Sequence, residues 1–163
     1  MFRLLVAMLV LFVSDGIRIV SPPLRLAVAD PTMAPINHEV LIHNVAKGVR
    51  SGIRESLQLV IRNQDDWNSF WKRHSSTETN PAPPPRIDFD REWVVGIFLG
   101  EKRTGGYTAE IVRAERRDSS LYFHYREKSP APDAMVTQAL TQPFHLVRVS
   151  KNGNPEIVFR RDL

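Results

Sequence analysis

The sequence predicts a mainly β fold of the α+β class: an antiparallel β-sandwich or open barrel of about seven strands, with one amphipathic helix packed on it. Three observations lead there. Short apolar runs with period-two alternation recur along the chain. Only one segment carries helical periodicity. Turns rich in glycine, proline, asparagine and aspartate separate these runs. The 163 residues suit one domain with a sizeable core, and no repeat of about 20–50 residues suggests a solenoid or propeller.

Residues 1–29 read as a secretory signal. Arg3 gives a positive start, and residues 4–13 form an unbroken apolar block. That block is too short for a bilayer span, which takes about 20 residues. Ala27-Val28-Ala29 before Asp30 is the best small-residue cleavage site. Cleavage after Gly16, a misplaced start and an uncleaved tail acting as an anchor stay open. The expectation is export, to a periplasmic or extracellular location, with association to the envelope open. Residues 30–163 are expected to form one domain, with 30–37 an irregular lead-in.

Residues 40–45 read as a strand, and 46–54, with Gly48 and Gly52, as a turn. In 55–62 Leu57, Leu59 and Ile61 alternate with Gln58 and Arg62, completing a first hairpin. The helix follows over 64–74. Asn63 is a suitable N-cap, Asp65 and Asp66 lie in the first turn, and Lys72, Arg73 and His74 lie in the last. Trp67, Phe70, Trp71 and His74 fall at i, i+3, i+4 and i+7, a stripe expected to seal a sheet. Residues 75–85 end in Pro81-Ala82-Pro83-Pro84-Pro85 and are expected to be a stiff extended connector.

Residues 93–99 are apolar at nearly every position, which suits a strand central in its sheet. The glycine-rich stretch 100–106 then leads to a neighbouring strand with Tyr107, Ala109 and Ile111 inward. Gly105 and Gly106 supply the positive φ angles of the turn. Asp118-Ser119-Ser120 turns the chain back into 121–126, and residues 127–138, with Pro130 and Pro132, form a loop. Residues 141–150 and 156–160 close the set as a hairpin around Lys151-Asn152-Gly153-Asn154.

The formal charge of +4 drops to +2 without residues 1–29, which hold Arg3, Arg18 and Arg25 against Asp15. The remaining basic residues are interleaved with acids, and no nucleic-acid-binding motif accompanies them, so no nucleic-acid partner is expected. Cysteine is absent, which excludes disulfides, thiolate nucleophiles and a lipobox anchor. Of the five histidines, His124 and His145 could meet if their strands pair, with Glu127 as a third ligand; surface or rim positions are the simpler expectation. Asp88 and Asp90 are a candidate carboxylate pair, balanced by Arg86 and Arg91. Ser51 lacks the context of a nucleophile elbow, and residues 100–106 lack the GK[ST] of a P-loop. No catalytic residue, metal or cofactor is expected, and the chain is expected not to be an enzyme.

Ile87-Asp88-Phe89, residues 94–100, Thr104-Gly105-Gly106-Tyr107, Glu127 with Pro130, and Thr141-Gln142-Pro143-Phe144-His145-Leu146-Val147 resemble the PrcB C-terminal family over about residues 87–150. The helix with Trp67 and Trp71 resembles what often precedes such domains. The family takes its name from an accessory subunit of a secreted bacterial protease complex. The resemblance implies a non-catalytic partner of a protein such as a protease. The contact is expected through Glu101, Arg103, Thr104, Gly105, Gly106 and Tyr107. The same Thr-Gly-Gly-Tyr element is also similar to one loop of chagasin-like cysteine-peptidase inhibitors, whose GxGG and Arg-Pro-Trp loops have no counterpart here. A hydrolase built on the histidines is the remaining alternative.

Overall fold

A strand whose side chains are apolar on both faces is stable only where both faces are covered. Residues 93–99 have that pattern, and their surroundings organise the molecule. The computed structural model describes residues 38–162; the expected signal and lead-in lie outside the described residues. The elements run β1 (His38–Val40), β2 (Ile42–Gly48), β3 (Ser56–Ile61), α1 (Gln64–His74), β4 (Glu92–Leu99), β5 (Thr108–Arg117), β6 (Ser120–Lys128), β7 (Phe144–Ser150) and β8 (Glu156–Arg161). Two four-stranded sheets, ordered β1-β5-β6-β8 and β2-β7-β4-β3, form a sandwich rather than a barrel.

β4 is interior in its sheet, between β7 and β3. Its Trp93, Val95, Ile97 and Leu99 enter the core between the sheets, where they meet Ile111 and Phe123. Val94 and Phe98 point the other way, into a second core beneath α1. Gly96 shares that face because a Cβ there would sit 2.6 Å from Leu146 Cδ2.

The helix forms at its expected bounds. Asn63 is extended (φ −147°) and its Oδ1 accepts from Asp66 N–H at 2.8 Å, satisfying one orphan donor of the first turn. Trp67 is fully buried, and Phe70, Trp71 and His74 stack along the same stripe. The proline-rich connector lies along the helix. Proline lacks an N–H, so the extended run leaves carbonyls unpaired. Trp67 Nε1 donates to Pro85 O (3.0 Å) and Trp71 Nε1 to Ala82 O (2.9 Å).

Long-range pairing departs from the sequence reading at three turns. Residues 46–54 do not close a hairpin, because β2 pairs with β7 and β3 with β4. Residues 100–107 do not join neighbours; they carry the chain from β4 in one sheet to β5 in the other. Residues 151–155 likewise cross between sheets, so β8 lies parallel to β6 instead of hairpinning with β7. Among the described residues there are eight strands instead of about seven, since Leu41 breaks the first strand as it passes from β1 to β2. The β5–β6 hairpin forms as expected, with Asp118 at φ 51°.

Candidate functional site

Leaving β4, the 100–107 loop is anchored at both ends. Glu101 N donates to Arg54 O (2.8 Å), and its carboxylate accepts from Gln142 Nε2 (3.1 Å). Lys102 and Thr141 exchange both backbone hydrogen bonds (2.7 and 2.9 Å), and Thr141 Oγ1 donates to Thr104 O (2.8 Å). The segment 129–142 therefore forms a brace under the loop.

The two adjacent glycines serve this brace differently. Gly105 is buried, and its N–H donates to Thr137 O at 2.9 Å; a Cβ there would lie 2.4 Å from Thr137 Oγ1. Close approach is what this position needs. Gly106 has φ +86° and faces Pro130, whose Cβ would be 2.8 Å from an added methyl. Only Gly106 takes the left-handed backbone expected of both.

Of the six residues singled out for contact, Glu101, Arg103 and Gly106 are exposed, Thr104 and Tyr107 are half-buried, and Gly105 is sealed. Gly105 thus shapes the loop without offering a surface. Tyr107 lies under Lys102 Nζ, 5.6 Å from its ring centre. Residues that local sequence patterns did not flag complete the rim. Gln142 N–H bonds to Val49 O, which brings Val49 and Arg50 alongside. Arg54, 72% exposed, joins them with only a loose 3.7 Å ion pair to Glu101. Met135 and Leu140 project from the brace as exposed apolar side chains. This end of the sandwich therefore combines Arg50, Arg54, Lys102 and Arg103 with bare apolar groups.

The histidines do not assemble. His124 lies on the outer face of the β1-β5-β6-β8 sheet, where Nε2 meets Glu115 Oε1 and Nδ1 meets Asp162 Oδ1, both at 2.9 Å. Burial would raise the Glu115 pKa, but hydrogen bonds from His124 and Arg117 outweigh it and hold the carboxyl below its usual range. The hydrogen bond from His124 lowers Asp162 likewise. His145 instead faces inward from β7. Its Nδ1 accepts from Ile111 N–H of β5 (2.8 Å), and its Nε2 donates to Asn44 Oδ1 (3.0 Å), so it staples one sheet to the other. Glu127, the third ligand considered, pairs with Arg161 (3.3 Å).

Ser51 and His74 form a contact that no motif announced. Ser51 Oγ accepts from Ile53 N–H (3.0 Å), leaving its hydroxyl to donate to His74 Nδ1 (2.9 Å). Ser51 is fully buried, so this pair fastens the end of α1 to the 49–54 loop and has no path to a substrate. Asp88 is also structural: its carbonyl accepts from Arg91 and Glu92 N–H, and its carboxylate accepts from Asp90 N–H.

Burial, with Lys47 nearby, pushes His145 from 6.5 down to about 4; Glu110 opposes this. The unfolded chain therefore binds a proton near pH 6.5 that the folded chain refuses until about pH 4. Stability is expected to fall across that window as pH drops, with this group contributing a slope of at most about 1.4 kcal/mol per pH unit. Burial lowers His74 in the same direction. In urea melts from pH 7 to 4, His145→Gln should flatten the profile relative to wild type. Parallel profiles would contradict the staple.

The fold and rim define a small β-sandwich domain, sealed on one face by a helix and bearing a braced crossover loop at one end. Residues 93–150 match the model of the PrcB C-terminal family, which supports a PrcB C-terminal domain over that part of the chain. The matched stretch contains the whole rim loop and its brace. No curated protein and no solved structure matches the chain.

Proposed function

We propose that this chain is an exported, non-enzymatic interaction module that acts as an accessory subunit, binding a protease complex and stabilising it through the 101–107 loop and its 129–142 brace. The observation that carries this reading is the PrcB C-terminal match, which includes the 101–107 loop and its 129–142 brace. The rim's composition supports it. Methionine, tyrosine and arginine are side chains enriched where proteins meet, and the loop and its brace carry exposed Met135, exposed Arg103 and half-buried Tyr107. An inhibitor of the chagasin type would have to insert the Thr104–Tyr107 tip into a cleft. The burial of Gly105 against Thr137 argues against that use.

The test is affinity capture from the native envelope with the protein as bait. Arg103 is exposed and makes no ion pair among the described residues, so Arg103→Glu should leave folding within about 0.5 kcal/mol of wild type. A protease is expected in the wild-type eluate and depleted at least tenfold with Arg103→Glu. Equal recovery, or no protease, would remove the rim from the account.

A further inference from the structure

Each sheet edge presents unpaired backbone groups that can recruit another strand, and proteins usually blunt such edges with charge, brevity, bulges or proline. Among the described residues, three of the four edges are blunted. β1 has only three residues, among them His38 and Glu39. β2 is bulged between Asn44 and Ala46 and carries Lys47. β8 carries Glu156, Arg160 and Arg161. β3 has none of these devices. Its six residues, Ser56 to Ile61, include no charge and no proline, and all six pair with β4 in unbroken register.

Beside this bare edge runs a groove of about 480 Å³ between β3 and α1, floored by Leu57, Leu59 and Phe70 and bordered by Asp66 and Arg73. The helix runs back along the strand. Only Arg62 and Asn63 separate them at one end, and Arg73 reaches Glu55 at 3.0 Å at the other. Asp66 therefore marks one end of the groove and Arg73 the opposite end.

We infer that β3 is a homodimerisation edge whose occupant is a second copy of this chain. The two β3 strands pair antiparallel about a two-fold axis normal to the sheet, making one continuous eight-stranded sheet. A two-fold there is the operation that this charge pattern fits: it sets Asp66 of each copy opposite Arg73 of the other, and it lays Leu57 and Leu59 of each copy along the apolar floor of its mate. The inference does not depend on the accessory reading, because the rim lies on other strands and loops.

Sedimentation equilibrium of the purified protein is expected to give twice the chain mass, and Leu57→Lys to give the monomer mass. If Leu57→Lys loses its native circular dichroism, Gln58→Lys at the exposed neighbouring position gives the same readout. Because the chain has no cysteine, single cysteines placed from Ser56 to Val60 report the axis directly. A self-disulfide needs Cβ atoms about 3.5–4.5 Å apart, so one position near the middle should cross-link on oxidation and those at the ends should not. Asp66→Arg should weaken the dimer at least threefold, and Asp66→Arg with Arg73→Asp should restore it. A monomer at high micromolar concentration would overturn the inference, including one that takes up a foreign extended peptide instead. So would a dimer indifferent to lysine on β3 and without cross-linking there.

Discussion

Trp67→Ala is expected to destabilise the fold by about 3–5 kcal/mol, the cost of emptying a large aromatic site in a packed core. Trp67 is fully buried at the centre of the core beneath α1, among Ile53, Phe98 and Leu146. Its indole N–H is also one of two donors tying the proline-rich connector to the helix. Truncation removes both the packing and the hydrogen-bond partner of the part-buried Pro85 O. With total stabilities near 5–15 kcal/mol, such a loss takes a large share of the fold. Trp67→Phe retains most of the volume and should cost less than half as much. Urea unfolding of the three proteins checks this; a loss below about 1 kcal/mol for the alanine variant would mean that the helix does not seal the sheet.

Gly106→Val should be the most damaging single change at the rim. A β-branched residue at φ +86° is strained by about 1–2 kcal/mol before any contact is counted. Its Cβ would also overlap Pro130 at 2.8 Å and press on Val136 at 3.1 Å. The brace has to move, and the Gly105–Thr137 bond beside it should loosen. The expected outcome is a loss of about 2–4 kcal/mol in urea unfolding, together with failure to retain the protease. Arg103→Glu should lose the partner while keeping the fold, so the two variants separate the architecture of the rim from its contact chemistry.

The parts of this molecule that were legible in the sequence are those encoded by neighbours. Asn63, the Asp65–Asp66 turn and the stripe from Trp67 to His74 specify the helix within twelve residues, and the structure shows it there. The apolar run of β4 announced a strand covered on both faces, and Asp118-Ser119 announced the β5–β6 turn. Pairing was not legible, since β2 meets β7 about one hundred residues away and nothing local distinguishes a hairpin from a crossover. The glycines near 48–52, 100–106 and 153 serve crossovers, although each could equally close a hairpin.

The rim was legible in part for the same reason. Residues 101–107 stood out because glycines interrupt two strands. Their brace did not, because 129–142 is proline-bearing, mixed in composition and without period. Arg50 and Arg54 are brought to the rim by the long-range backbone contacts Gln142–Val49 and Glu101–Arg54. The staple from His145 to Ile111 depends on residues 34 positions apart in different sheets, and sequence periodicity says nothing about such a meeting.

If the rim holds and stabilises a protease, thermal unfolding of that protease must respond to this chain. The captured protease would be melted alone, with the wild-type chain and with Arg103→Glu. Because a ligand present at 100 times its Kd adds about 2.7 kcal/mol to the state it binds, the wild-type chain should raise the protease's melting temperature by several degrees, and Arg103→Glu should not. A melting temperature unchanged by the wild-type chain, or raised equally by both, would contradict the claim.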